Sequence, residues 1–540
     1  MLFCCCLATS VHSQTQSSGG AISGIALDAG NNTALRHAIV TLSTIENSPQ
    51  DAVAWTDSSG RFSFSYLFPG RYQLRAHKIG YQGMVYGAKT ASSPAGTIQL
   101  AANENRGDFV LRLGRTSSIS GTVLGDDDEP VAHAQVTAMR PDFVRHKRKL
   151  SGGPSAMTDS DGRYRLTGLG SGQYAVVVTS PYRVDARLKS VVSASQQLSY
   201  QPYAFGRQYY PGVERAEAAT LFNLTVGQDI AGIDFRLISR PTVTLAGKIL
   251  VPADFKPTDH LSINVADEEF GAGTTYGIGA APPDFGFVLD HALLPGTYLL
   301  TAQATLDGKP YRSTQHIQIG PSGLRDLAIP LEAGVDIVGS ILVEGPDAAK
   351  YPASYVALIA GDGIPYNGPS LRTNVNKDGS FRIKGVVSGI WDIDVGPIPA
   401  GGYIKSMQLG DHDVLTEDMV IRPTTASILK IVLSTRAATL DGDAALGEHQ
   451  SAAIVVLAPE GKLSHVTSFY RFAATDEKGH FEIKNAVPGR YVLYAFDEFD
   501  RRSIQDPAAL KPFASAGVAV TLSEGPNGSQ KLSVLSGARK

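Results

Sequence analysis

The chain has 540 residues, 48 Lys and Arg against 51 Asp and Glu, and a formal net charge of −3. That balance gives no global attraction to nucleic acid or to an anionic membrane. With 43% hydrophobic residues, 56 glycines, 30 prolines and no long amphipathic period, many short strands joined by tight turns are expected, not bulk disorder and not a helical fold.

At the N-terminus all three cysteines, Cys4, Cys5 and Cys6, lie in the apolar run from Leu2 to Val11. A run of about ten residues is too short to span a bilayer and suits the h-region of a signal peptide. Small residues follow at Ala8, Ser10 and Ser13, so residues 1–13 read as a signal peptide, with cleavage after Ser13 or Ser10. No Lys or Arg precedes the run, and Phe3 before Cys4 argues against a lipoprotein. Removal of the segment leaves no cysteine, so stability has to come from packed cores. The mature chain is expected to be secreted, periplasmic or at the cell surface. No later segment has the roughly 18 apolar residues of a membrane-spanning helix.

Further along, one pattern occurs five times. The copies read TDSSGRFSFSYLFPGRYQLRA from Thr56, TDSDGRYRLTGLGSGQYAVVV from Thr158, PPDFGFVLDHALLPGTYLLTA from Pro282, VNKDGSFRIKGVVSGIWDIDV from Val375 and TDEKGHFEIKNAVPGRYVLYA from Thr475. A glycine precedes each aromatic strand (Gly60, Gly162, Gly286, Gly379, Gly479), and a second follows at constant spacing (Gly70, Gly172, Gly296, Gly389, Gly489). The period, near 100 residues, is too long for a solenoid and fits a sandwich domain.

Asp57, Asp159 and Asp476 are placed to fold their carboxylates over the next backbone amides, and the following glycine supplies the left-handed residue of a tight turn. Phe62 and Phe64 alternate with Arg61 and Ser63, the period-2 signature of a strand with one buried face. The later glycines, as in Pro69-Gly70, Pro295-Gly296 and Pro488-Gly489, read as left-handed turn residues. The next strand opens with an aromatic (Tyr72, Tyr174, Tyr298, Trp391, Tyr491), whose polar atom is expected to bond turn backbone as in a tyrosine corner. A first strand precedes each hairpin, as in ISGIALD from Ile22 and ISGTVLG from Ile119, and an apolar alternating strand closes each copy.

The expected fold class is therefore all-β: a tandem array of about five β-sandwich domains of prealbumin-like or Ig-like type, with about seven strands each. After the signal peptide at 1–13 the expected boundaries are 20–114, 117–239, 242–333, 335–434 and 436–540, the last with a C-terminal tail.

The order of first strand, TDxxGxF hairpin, PGxY strand and Gly80-Tyr81 resembles the carboxypeptidase regulatory-like domain, close to transthyretin-like, Cna-B-like and carbohydrate-binding-like sandwiches. The stretches YAFGRQYYPGVERAEAATLFNLTVGQDIAGIDFRL from Tyr203 and GGYIKSMQLGDHDVL from Gly401 are similar to acidobacterial secreted proteins of that family. The resemblance implies modules without catalysis of their own.

Catalytic patterns are missing. None of the 12 histidines has Glu at the third following position, and the sequence has no His-Glu-x-x-His, no Gly-x-Ser-x-Gly and no phosphate-binding loop. No enzyme, no cofactor and no metal are expected. The acidic turn Asp126, Asp127, Asp128 and Glu129 offers oxygen ligands to calcium but lacks the interleaved spacing of a calcium loop, which favours a solvated turn. A basic run, Arg145 to Lys149, is either an exposed loop or a contact for anionic polysaccharide.

The candidate ligand-binding residues are Tyr203, Phe205, Tyr209 and Tyr210, dense aromatics beside Pro211-Gly212. They suit stacking on sugar rings, or else seal the second domain. The expected function is non-catalytic carbohydrate binding or adhesion outside the cell, with a polysaccharide or cell-surface glycan as partner. The alternatives are a structural scaffold with an envelope-protein partner, or an accessory array to a transporter or peptidase.

Overall fold

The structure, a computed structural model, describes residues 19–45, 51–88, 96–144, 147–179, 203–253, 261–267, 273–277, 285–306, 308–346, 348, 354–361, 370–399, 401–424, 428–445, 453–476, 478–497, 499 and 509–536. The signal-peptide reading, and Arg145 and His146 of the basic run, fall outside these residues. The described chain is almost wholly β.

The first unit contains β1 (Gly20–Asp28), β2 (Ile39–Thr44), β3 (Asp51–Trp55), β4 (Arg61–Leu67), β5 (Gly70–His77), β6 (Met84–Val85), β7 (Ile98–Leu100) and β8 (Asn105–Leu113). In one layer β1 lies between β4, antiparallel, and β8, parallel. In the other, β2 lies between β3 and β5, and β5 carries β6 and β7 on its far edge. The alternation read in β4 is realised: Phe62 and Phe64 are buried, whereas Arg61 and Ser63 are exposed.

The central strand keeps both neighbours down the chain. Ser117–Leu124 lies between Arg163–Leu169 and the pieces Asp229–Ile230 and Phe235–Arg236. Val243–Leu250 lies between Gly286–Leu293 and Leu324–Pro330, and Val335–Glu344 between Ser380–Val386 and Ile428–Ser434. Ala438–Ala445 lies between His480–Ala486 and Gln530–Leu535. In this last unit Gln530–Leu535 also pairs with Gly489–Phe496, so the two layers join into one sheet. Each unit has its own apolar core, centred on Leu42 and Leu74, Val136 and Leu166, Ile263 and Leu300, Ile337 and Trp391, and Leu457 and Tyr491.

The parallel contact is close because the central strand carries a glycine there. A Cβ on Gly24, Gly121, Gly247, Gly339 or Gly442 would lie 2.1, 2.0, 2.2, 2.3 or 2.2 Å from the carbonyl oxygen of Phe109, Ile233, Leu327, Leu429 or Gln530. No side chain fits that gap.

The turn chemistry follows the sequence at its first half. Asp57 Oδ1 accepts the amides of Ser59 and Arg61, Asp159 Oδ1 those of Asp161 and Arg163, and Asp476 Oδ1 those of Lys478 and His480. Gly60, Gly162, Gly379 and Gly479 have φ of 72°, 71°, 82° and 88°. The second half differs in part. Gly172, Gly389 and Gly489 have φ of 135°, 152° and 156°, whereas Gly70 and Gly296 do not have positive φ; a further left-handed residue comes four positions before the glycine, at Tyr66, Gly168, Gly385 and Asn485, with φ of 61°, 75°, 65° and 56°. The strand bulges there and then resumes its pairing with the central strand, Leu67 opposite Gly20, so the chain reverses only at the Pro-Gly tip between β4 and β5.

Four of the five corner aromatics bond the hairpin as expected. Tyr72 Oη donates to the Phe68 carbonyl at 2.7 Å, Tyr298 Oη to Leu294 at 2.7 Å, Trp391 Nε1 to Val387 at 2.9 Å and Tyr491 Oη to Val487 at 2.6 Å. These bonds fix the hairpin tips, and the tips turn out to be where units meet.

Candidate functional site

The four aromatics singled out in the sequence do not form one exposed platform. Tyr203 is exposed, but its strand, Tyr203–Phe205, pairs antiparallel with Ser239–Pro241, the segment leading to the third unit. Phe205 is half-buried against the second core. Tyr209 is 1% exposed, because Gln208–Tyr209 adds to the sheet beside Val177 and Val178 and places the ring with Met139 and Val177. Tyr210 packs against Phe222 at 5.4 Å between ring centres and edge-on to Phe235 at 6.0 Å. For Phe205, Tyr209 and Tyr210, sealing of the second unit describes the contacts.

The acidic turn is likewise engaged in structure. Asp126 Oδ2 accepts the Ser239 amide at 3.0 Å and hydroxyl at 2.6 Å, which hold its carboxyl below the usual range. Asp127 Oδ1 accepts the Glu129 amide, and Asp128 pairs with Arg236 at 2.6 Å. The carboxylates thus diverge to separate partners. Among the described residues no group of three His, Cys, Asp or Glu is placed to hold a metal ion.

A surface that sequence reasoning missed lies on the first unit. The outer face of β1, β4 and β8 forms a groove of about 650 Å³, closed at one side by Trp55 at the end of edge strand β3. Trp55 is 64% exposed, and Ile25 and Val110 add apolar floor. Arg61, Asp108 and Ser23 surround that floor with charge and hydroxyl. Asp108 stands on a bulge between β1 and β8 with φ of 65°, the kind of irregularity that re-aims a side chain. Of the chain's two tryptophans the other, Trp391, is buried in the fourth core. At the place of Trp55, the second, fourth and fifth units carry Met157, Asn374 and Ala474.

Polar contacts bind the units to one another. Between the first and second, the buried Asp28 carboxylate accepts from Arg115 Nε at 2.9 Å, Tyr81 Oη at 2.9 Å and the Gly30 amide at 2.8 Å. Burial alone would raise the Asp28 pKa, but these donors outweigh it and hold the carboxyl below the ordinary aspartate range. Gln82 and Thr116 complete the clasp with backbone bonds to Gly114 and Gly80. Arg207 pairs with Asp267 at 3.0 Å across the next junction, and Ser388 Oγ donates to Glu332 at 2.9 Å across the third. At the fourth, Tyr403 and Ser434 each donate to Glu524 at 3.1 Å. Burial, and then the Glu524 carboxylate, push the Tyr403 hydroxyl up to about 12.

Residues 21–111 and 118–201 each match the family model of the carboxypeptidase regulatory-like domain. A search of curated proteins returned no match. Among solved structures the chain is similar to the TIE protein of Bacillus anthracis, at 15% identity and TM-score 0.18, over 58% of this chain and 51% of that one. It therefore spans about half the length of that protein. The minor pilin of Streptococcus agalactiae matches at 15% identity and TM-score 0.23, over 43% of this chain and 99% of that one. The shaft pilin of Lactobacillus rhamnosus GG matches at 11% identity and TM-score 0.20, over 44% and 99%. No helix among the described residues is long and apolar enough to cross a membrane.

Proposed function

We propose that this array, opening with two carboxypeptidase regulatory-like domains, is a non-catalytic adhesion-type protein of the cell exterior that contacts glycan through the Trp55 groove. The observation that carries the reading is an indole 64% exposed beside an apolar floor rimmed by Arg61, Asp108 and Ser23. An indole face suits the C–H face of a pyranose ring, and a guanidinium, a carboxylate and a hydroxyl around it suit the ring hydroxyls. The remaining units space this end from the rest of the molecule. Because the indole is particular to the first unit among the described copies, the site is one per chain, and avidity has to come from several chains.

The test is a polysaccharide and glycan-array screen of wild type, Trp55→Ala and Tyr203→Ala. Truncation of an exposed aromatic anchor weakens binding by about tenfold or more. The expected result is glycan binding that Trp55→Ala loses and Tyr203→Ala keeps. The reverse pattern returns the site to the second unit's aromatics. No glycan bound by wild type refutes the reading and leaves the spacer role, which the bonded junctions favour independently.

A further inference from the structure

The floor of the Trp55 groove is laid out in two rows across β4, β1 and β8. One row is Arg61, Ile25 and Val110, since Ile25 stands opposite both Arg61 and Val110. The other is Ser63, Ser23 and Asp108: Ser23 stands opposite Ser63, and Asp108 occupies the bulge that passes Ser23 in the pairing with β8. All six line the groove. The first row offers apolar surface with a cation at one flank, the second two hydroxyls and a carboxylate in line. Among the described residues the side chains of Ser23, Ser63 and Asp108 bond no other group of the chain, which leaves their hydrogen-bonding capacity to a ligand.

The Asp108 carboxylate is also without a cation. Arg61 lies on the far side of β1, two strand spacings or about 10 Å away. On the same strand, Arg106 stands over the Phe109 ring at 5.2 Å, and Arg112 bonds Asn32. The groove as a whole holds one cation, Arg61, against the carboxylates of Asp57 and Asp108.

The second and third units show what this position needs for folding alone. The bulge recurs there with its left-handed residue at Gly232, φ 78°, and Asp326, φ 60°, against 65° for Asp108. In the second unit the bulge carries no side chain, and the counterpart of Ser63 is Arg165, paired with Asp229. In the third, Ala246 and Val288 replace the two serines. A left-handed residue is thus all the fold requires. Of these three units only the first sets a carboxylate beside two hydroxyls, and it does so next to an exposed indole that comes from a different strand, β3.

We propose that Asp108 makes this groove specific for uncharged sugars. Resting on the glycan reading of the Trp55 groove, the assignment is that the indole and Ile25 carry the C–H face of a hexopyranose. Asp108 accepts two of its ring hydroxyls, and Ser23 and Ser63 bond the neighbouring oxygens. A carboxylate accepts hydrogen bonds and donates none, so it favours sugar hydroxyls and repels the carboxylate of a uronic acid.

The test uses matched oligosaccharides that differ only at C6: glucoside and glucuronide, galactoside and galacturonide, mannoside and mannuronide. Each is titrated into the full chain at low salt. Wild type should bind a neutral member about tenfold or more tightly than its uronic partner. Asp108→Asn and Asp108→Gly both suit the left-handed backbone, as Gly232 shows, so the bulge survives either change. Both variants should weaken the neutral sugar about tenfold and bring the ratio of the pair towards one. A damaged fold would weaken both members alike and leave their ratio unchanged. An unchanged ratio in the Asp108 variants, or a wild type that prefers the uronic member, overturns the proposal and leaves the Trp55 site standing, provided Trp55→Ala still abolishes binding. Binding that Trp55→Ala does not alter, or no binding by wild type, overturns the glycan reading of the groove and this proposal with it.

Discussion

The corner hydrogen bond should be worth more where its hairpin is seated than where it is free, and Tyr491→Phe against Tyr72→Phe measures the difference. Tyr491 is fully buried, and its acceptor, the Val487 carbonyl, lies in a residue 8% exposed beneath Tyr403. Deleting the hydroxyl leaves that carbonyl without its donor in a site closed to water, at a cost of about 1–3 kcal/mol. The acceptor of Tyr72 belongs to Phe68, 82% exposed, where water replaces the hydroxyl and the loss is nearer 0.5–1 kcal/mol. Hydrogen exchange read by peptide mass reports local stability unit by unit. At about tenfold per 1.4 kcal/mol, residues 480–496 should exchange roughly five- to hundredfold faster in Tyr491→Phe. Residues 61–77 should speed up only a few-fold in Tyr72→Phe. Equal acceleration in the two variants, or a larger effect at Tyr72, would refute the argument that the neighbouring unit closes the hairpin to water. The pH dependence has a definite sign. Burial pushes the Tyr491 hydroxyl up to about 12, so its contribution is whole below the ordinary tyrosine pKa of about 10. It is lost as pH rises from there through the folded value.

Two further outcomes follow from the geometry. Gly339→Ala places a methyl 2.3 Å from both the Leu429 carbonyl oxygen and Phe381 Cζ, so thermal unfolding should show the fourth unit weakened by more than the 1–3 kcal/mol (approximately) of ordinary overpacking; a variant as stable as wild type contradicts the close approach. The Asp28 clasp, with its depressed carboxyl, is fully present above the ordinary aspartate pKa of about 3.9 and lost as pH falls through the folded value. Small-angle scattering should therefore show a looser array at acid pH, with Asp28→Asn already loosened at neutral pH, and identical profiles would remove Asp28 from the junction.

The repeat was legible because its chemistry is local. An Asx turn, a left-handed glycine and a period-2 aromatic strand are each settled within about ten residues, so spacing alone revealed them. The role of the buried threonine that opens three of the copies is not legible from its neighbours in sequence. Thr158 Oγ1 donates to the Val131 carbonyl and accepts the Ala134 amide, and Thr56 and Thr475 accept the amides of Ala38 and Ala453. Its partners lie in the segment leading into the neighbouring strand of the same sheet, 18 to 27 residues away in sequence, so nothing beside the threonine marks it. Trp55 is hidden in the sequence for another reason. In β3 the inward residues are Ala52 and Ala54, and the outward ones are Val53 and Trp55. An apolar residue on both faces hides the alternation, and the large side chains are the exposed ones. Aromatic density, as around Tyr209, says nothing about which way a ring points.

The position of Tyr66 sharpens the contrast between what the fold requires and what it merely tolerates. The bulge at the end of the aromatic strand needs a left-handed residue, and Gly168, Gly385 and Asn485 meet that need with side chains that suit it. Tyrosine at the same place costs on the order of 1–3 kcal/mol of backbone strain, and in the first unit no core contact offsets it, since the ring is 78% exposed. Phe68, two residues on, adds a second exposed ring where the other copies place a glycine or a covered aliphatic side chain. A hairpin shaped only for its own unit would have the glycine of the second and fourth copies. The two aromatics at this tip therefore bring backbone strain and exposed apolar surface that the packing of the first unit does not offset.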